Sequence, residues 1–407
     1  MSEARPAGGV PRYAKPRAAG LFSRGFRPFF LAAGVYAVAL MLYWLAWIEG
    51  AAPAIAGPFD PVSWHAHEVL FGVTGAAIAG FLLTAIPNWT GRLPLQGAGL
   101  AGLCGLWLAG RLAVATGTPA DPWGAAAIDL SFPVIFLSVV AREILAGRNT
   151  RNLPMVAALA VFALANAITH AEAAGWAPPD GVEPGIGLRL GLATPVMLIV
   201  LIGGRITPSF TRNWLVKRGA TRLPAAAGPV DGIAMACALV ALLHLGVRPY
   251  DPWLALTAGA AATALALRLA RWRGTATAAE PLLLALHIGY AWLPVGFATT
   301  AAAAAFPAIP LSAAFHAFGV GAIGTMTLAV MTRATLGHSG AALTADRWTL
   351  AIFAAITLAA FARLAAAIRP QDGPLLLALG AGGWILAYGL FSLTYGPRLL
   401  GRRDPGA

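Results

Sequence analysis

Charge is scarce in this chain: 11% of its 407 residues are charged and 58% are hydrophobic, with a mean hydropathy of +0.73. Soluble domains carry about a quarter charged residues. The deficit therefore excludes a water-soluble globular fold and makes lipid the solvent. Cysteine is nearly absent. Cys104 and Cys237 each lie inside an apolar run with no partner at ligand spacing, which argues against a disulfide framework or a thiolate metal site. Also missing are a glycine-rich phosphate loop, a nucleophile elbow and a basic-aromatic nucleic-acid surface. The net charge of +12 and pI of about 10.8 thus describe topology, and no nucleic-acid partner is expected.

What is present is a series of long apolar runs. About 20 helical residues cross a ~30 Å hydrocarbon core, and such runs are expected at 28–48, 64–86, 96–116, 124–145, 152–174, 185–206, 229–247, 252–271, 281–304, 310–332, 347–368 and 374–395. The fold class is all-α: a polytopic membrane protein of about twelve helices in contact with lipid. The break between the third and fourth runs rests on a short loop with Pro119, Asp121 and Pro122. Pro28 to Ile48 is too long for a signal-peptide core and reads as a retained first span.

Loop charge tests the count. With residues 1–27 as a basic cytoplasmic tail, 23 of the 28 Lys/Arg fall in inside segments and two, Arg248 and Arg369, outside. This is the positive-inside pattern, and it places both termini, including the tail 396–407, in the cytoplasm. The inside loop from Thr207 to Gly228 divides the membrane domain 28–395 into halves 28–206 and 229–395. Each half carries a similar phrase, Pro87-Asn88-Trp89-Thr90-Gly91-Arg92 and Pro208-Ser209-Phe210-Thr211-Arg212-Asn213-Trp214. Duplication and interfacial Trp/Arg anchoring both account for it.

Histidine is the informative residue, because six of seven lie within or at the edge of spans, where a polar side chain needs a partner or a ligand. His65 and His67 start the second span behind an expected Asp60-Pro61 cap. His170, His244 and His316 also fall near outer ends, so an outer cluster is feasible. His287, in the ninth run, and His338, in the inside loop that follows the tenth, lie towards the inner side and form a second candidate site, with Tyr290 and Trp292 beside His287 as a hydrogen-bond donor and an aromatic wall. On a helix His65 and His67 differ by about 200° in direction and cannot serve one ion. Glu68, at i+3 from His65, is placed to accept its spare N–H. Gly72 and Gly75 continue the His65 face and leave room for a flat macrocycle or for another helix. His67 and His316 are the preferred axial pair, with His65 on a second metal or a hydrogen-bond network, although each fits a different face of one helix. A hydrogen-bonded packing role is favoured for His170 and His244. Asp129, Arg111 and Arg189 are charged residues inside spans, and either arginine is placed to pair with Asp129 or with a cofactor carboxylate. Arg363 reads as a snorkelling end residue.

Several phrases occur in one order: Arg27-Pro28-Phe29-Phe30, Trp64-His65-Ala66-His67-Glu68, Ala85-Ile86-Pro87-Asn88-Trp89-Thr90-Gly91, Gly203-Gly204-Arg205, His287-Ile288-Gly289-Tyr290-Ala291-Trp292, His316 with Gly321-Ala322-Ile323-Gly324-Thr325-Met326, and Leu336-Gly337-His338-Ser339-Gly340. In these the chain resembles the NnrS family over most of its length. The resemblance implies a bacterial inner-membrane protein that binds haem, of b type, and copper, and acts in the response to nitric oxide or nitrosative stress in denitrifying and related bacteria. It also makes His65, His67, His287, His316 and His338 the leading ligands. Nitric oxide or a related small molecule and a redox partner are the implied partners, and the reaction, if any, stays open. A transporter that uses buried histidines as proton relays or metal-passage sites is the competing class.

The charge pattern predicts that a reporter fused after Arg403 is active when it requires the cytoplasm and silent when it requires the periplasm. The opposite result contradicts the topology.

Overall fold

The computed structural model describes residues 20–401 apart from Ala56 and Pro119. Most of the expected basic N-terminal tail, together with Arg402 and Arg403, lies outside the described residues. The chain forms helices α1 (Phe26–Ile48), α2 (Pro61–Thr90), α3 (Gly97–Thr116), α4 (Pro122–Ala146), α5 (Thr150–Ala173), α6 (Ile186–Lys217), α7 (Pro229–Val247), α8 (Leu254–Ala270), α9 (Pro281–Ala305), α10 (Leu311–Ser339), α11 (Arg347–Ile368) and α12 (Pro370–Leu399). All but α8 are long and apolar enough to cross a membrane, and α8 is apolar but has 17 residues. There is no strand among the described residues. The all-α polytopic architecture follows.

Besides α12, with 30 residues, three helices run well past their apolar runs. α2, α6 and α10 have 30, 32 and 29 residues. Pro87 and Pro208 read as terminators, yet each sits inside its helix. A proline removes one intrahelical bond and need not end a helix whose flanks are held by neighbours. The segment after Thr207, expected as loop, therefore continues as helix to Lys217, and α10 runs past residue 332 to Ser339. Helix ends follow local rules. The Asp60 carboxylate accepts from the amides of Val62 and Ser63 at 3.0 and 3.1 Å with Pro61 in the first turn, as expected of an N-cap. Gly91 and Gly340 close α2 and α10 with φ of +71° and +76°, a left-handed conformation that glycine adopts without a Cβ clash.

Those same three helices share an irregularity. Each contains a π-helical stretch, at Glu68–Thr74, Ile199–Gly203 and Ala317–Gly324. They contact one another at the centre, while α3–α4–α5, α7–α8–α9 and α11–α12–α1 pack in sequence as three surrounding arcs. The packing thus repeats every four helices. The two similar Pro/Trp phrases fall at the ends of α2 and α6, two of the inner helices. Close approach is made by small residues: a Cβ on Gly191 of α6 would meet the Phe71 ring of α2 at 2.6 Å.

Candidate functional site

The entry end of α2 carries two histidines that face different neighbours. His67 is fully buried. Its Nδ1 lies 2.8 Å from Glu68 Oε1, and its Nε2 lies 2.8 Å from Asn166 Oδ1 and 3.3 Å from Asp129 Oδ2. Both nitrogens thus face acceptors, which describes a doubly protonated, cationic ring. Phe59 stacks on it at 4.6 Å and Phe71 lies 5.0 Å away.

Around His67 the helices converge on a closed ionic network. Arg111 of α3 bridges two carboxylates, donating to Glu68 Oε1 at 2.6 Å and to Asp129 Oδ1 of α4. Asp129 Oδ2 also accepts from Asn166 Nδ2 at 2.8 Å and from His170 Nε2 at 3.0 Å. Tyr36 of α1 donates to Glu68 Oε2. Two carboxylates thus balance one guanidinium and one imidazolium, the arrangement that buried charge requires. The π stretch takes part: its Gly72 O accepts from Trp107 Nε1 at 3.1 Å. His67, Asp129 and His170 offer ligand atoms within 4.8 Å of one another. Two imidazoles and a carboxylate suit a borderline transition metal, so this buried cluster fits a metal-binding membrane protein.

His65 lies outside that network. Its ring stacks on Trp44 of α1 at 4.3 Å, and its buried Nδ1 has no partner among the described residues. It is close enough to His316 of α10 and Arg363 of α11 for charge on one to act on the others. His316 Nδ1 lies 2.6 Å from the carbonyl of Ser312 and must be the donor, so the lone pair sits on Nε2. This is how a second-nitrogen bond prepares a ligating imidazole. His65, His316 and Arg363 are each half-buried. No carboxylate is within ion-pair distance of Arg363 among the described residues.

Several expected partnerships are rearranged. His67 does not share a space with His316; His65 does. Glu68 bonds His67 and not His65. Gly72 makes room for the ion network: a Cβ there would meet Tyr36 at 2.9 Å and Arg111 at 3.1 Å. The reason is the π stretch, whose wider turn shifts the helical register, so that i+7 from His65 leaves its face. Arg111 pairs with Asp129 as expected. Arg189 instead donates to the carbonyls of Gly246 at 2.9 Å and Pro184 at 2.5 Å, tying α6 to the end of α7. Arg363 lies near His65 and His316.

The two histidines expected at the inner side have different neighbours among the described residues. His287 Nε2 lies 2.9 Å from Thr211 Oγ1, whose proton goes to Thr207 O at 2.9 Å, so the ring donates, and its buried Nδ1 has no hydrogen-bond partner among the described residues, with Gly274 leaving the space beside it that a Cβ would fill. His338 packs on Phe26 of α1, and no contact joins it to His287. Tyr290 accepts from Arg268 at 2.8 Å, and the ring beside His287 is Trp272 at 6.4 Å, not Trp292. His244 bonds Thr257 at 3.1 Å, a packing role. Asn166, Tyr36 and Arg268 were not foreseen. Asn166 and His170, spaced i,i+4 on one helical face, carried a readable signal; Tyr36 carried none. Arg268, near the end of the 252–271 run, is 3% exposed and spans Asp231 Oδ1 and Val200 O at 2.8 Å each.

Removing one partner of a buried ion network leaves uncompensated charge and costs about 3–5 kcal/mol. Asp129→Ala should lower the melting temperature in detergent by that equivalent, while His244→Ala, outside the network, should change it little. Equal melting of Asp129→Ala and the parent protein contradicts the network.

A profile of the family described as NnrS protein matches residues 20–403, nearly the whole chain. A search of curated proteins returns no match. With fold, histidine motifs and coverage in agreement, the chain belongs to the NnrS family.

Proposed function

We propose that this chain is a haem- and copper-binding inner-membrane protein of the nitric oxide response, with the haem held between α2 and α10 by His65 and His316. The observation that carries this reading is the state of the two rings. His316 presents a bare Nε2 because its Nδ1–H is committed to Ser312 O, and His65 keeps a buried unpartnered nitrogen beside it. His67 fits the role poorly, with both nitrogens bonded, Phe59 stacked on its ring and Phe71 packed beside it. The residues at hand suit a macrocycle with acidic side groups: Trp44 lies flat against one imidazole, and Arg363 supplies a cation that no carboxylate of the described residues occupies. Gly319, one turn beyond His316, faces open space.

A bound haem would supply an iron centre able to take nitric oxide. The protein's own part is to orient two imidazoles, exclude water and balance charge. His67, Asp129 and His170 are the residues proposed for copper, and His67 must release its Nε2 proton for the three to act together. A transporter reading draws on one feature, the continuous hydrogen-bonded chain from Tyr36 through Glu68, His67 and Asp129 to His170. It calls for proton movement and for no haem.

Purified protein should show a haem absorption spectrum that His65→Ala and His316→Ala each abolish and His67→Ala retains. Copper should be lost in His170→Ala with haem unchanged. A parent protein without haem, or full haem in both His65→Ala and His316→Ala, overturns the reading.

A further inference from the structure

The ionic network leaves one donor and one acceptor without protein partners. The donor is Arg111 Nε. Both terminal nitrogens of that guanidinium bind carboxylates, while its buried Nε–H has no partner among the described residues. The acceptor is the backbone carbonyl of Asp129. In a regular helix it receives the amide of the residue four positions on. In α4 that residue is Pro133, which has no N–H to give.

Both Arg111 and Asp129 line one cavity, together with Pro133 and a third polar residue, Asn166. It lies against the network between α2, α4 and α5, and every lining residue but Ile78 is buried. The room in it for the centre of a water molecule is about 10 Å³, at the lower end of the roughly 10–15 Å³ that one water needs. A second water has no place. The rest of the wall is hydrocarbon.

Charge and hydrogen bonding narrow the occupant further. Arg111 repels a cation and Asp129 repels an anion, so the occupant is neutral. It must accept from Arg111 Nε–H and donate to the Asp129 carbonyl, which the end of an acyl chain cannot do. Water does both. A carbonyl freed by a proline inside a transmembrane helix is one of the places where ordered water restores the missing bond, and a polar group left bare in hydrocarbon is costly.

We propose that this cavity is the binding site of one structural water, which accepts from Arg111 Nε, donates to Asp129 O and lies against Asn166. The water ties the side-chain network to the backbone of α4 at its proline, so Asp129 is held through its carboxylate and through its carbonyl. It also ends the hydrogen-bonded chain that runs from Tyr36 to Asp129, because the wall beyond it offers no further donor or acceptor. The inference rests on neither haem nor metal.

Gly75, which also lines the cavity, supplies the test. A Cβ there would meet nothing closer than the Phe162 ring at 3.7 Å, an ordinary contact, so Gly75→Ala places a methyl group in the cavity without moving a helix. With water present, the methyl evicts it and strips both groups. The melting temperature in detergent then falls by several degrees, despite the better helix propensity of alanine. In an empty cavity the same methyl would fill a void and raise it. Pro133→Ala gives the Asp129 carbonyl an amide, so in that background Gly75→Ala should lower melting less. An experimental map of the unmodified protein, at a resolution that shows buried waters, should contain one peak within hydrogen-bond distance of Arg111 Nε and Asp129 O, absent in Gly75→Ala. A higher melting temperature for Gly75→Ala than for the unmodified protein, equal shifts in the two backgrounds, or no peak in the cavity overturns the proposal.

Discussion

The Arg111 guanidinium holds Glu68 of α2 and Asp129 of α4 from its own place on α3, and the outer half of the bundle is arranged around it. Inside hydrocarbon a carboxylate, a guanidinium or a free carbonyl has no water to fall back on. Each must find its partner in the protein. Arg111 neutralises two acids, His67 balances the remaining charge, and Trp107 donates to a carbonyl of the π stretch, Gly72 O. Tyr36, Asn166 and His170 then satisfy the remaining lone pairs. One site thereby fixes the relation of five helices, α1 to α5. A similar device recurs near the other end, where Arg268 of α8 joins Asp231 of α7, Tyr290 of α9 and the π-stretch carbonyl of Val200 in α6.

These anchors explain how the inner helices tolerate irregular backbone. A π stretch leaves carbonyls without their regular partners, which is sustainable in a membrane only if side chains or neighbouring helices take them up. Trp107 and Arg268 do so for α2 and α6. In return the wide turns rotate each inner helix part-way along its length. On α2 His65 and His67 point about 200° apart, so the two histidines have unrelated surroundings, and past the start of the π turn Gly72 and Gly75 face the ionic network. His67 is consumed by charge balance, and His65 stays free to act as a ligand.

Much of the fold was legible in the sequence, because hydrophobic run length and the alternation of loop charge respond directly to the bilayer. The twelve helices appear where the runs lie. Their ends are less legible: Pro87 and Pro208 have the chemistry of terminators, and only neighbouring helices show that the backbone continues. The Arg111–Asp129 pair was readable as two charges at one depth, since lipid leaves them little choice. The opposite directions of His65 and His67 were readable, but which neighbour each meets was not, because that is set by how the surrounding helices pack. The separation of His287 from His338 is of the same kind. Both lie near one level on adjacent helices, but one donates to Thr211 and the other packs on α1, and sequence spacing carries no information on which way each ring turns.

The account's central claim is that the inner helices present His65 and His316 to one cofactor while withholding His67. An experimental density map of protein purified from membranes tests it directly. The account predicts a macrocycle between α2 and α10, in contact with both His65 and His316 and with its acidic edge towards Arg363, and His67 still bonded to Glu68 and Asn166. A macrocycle ligated by His67, or lipid in the space between His65 and His316, contradicts it.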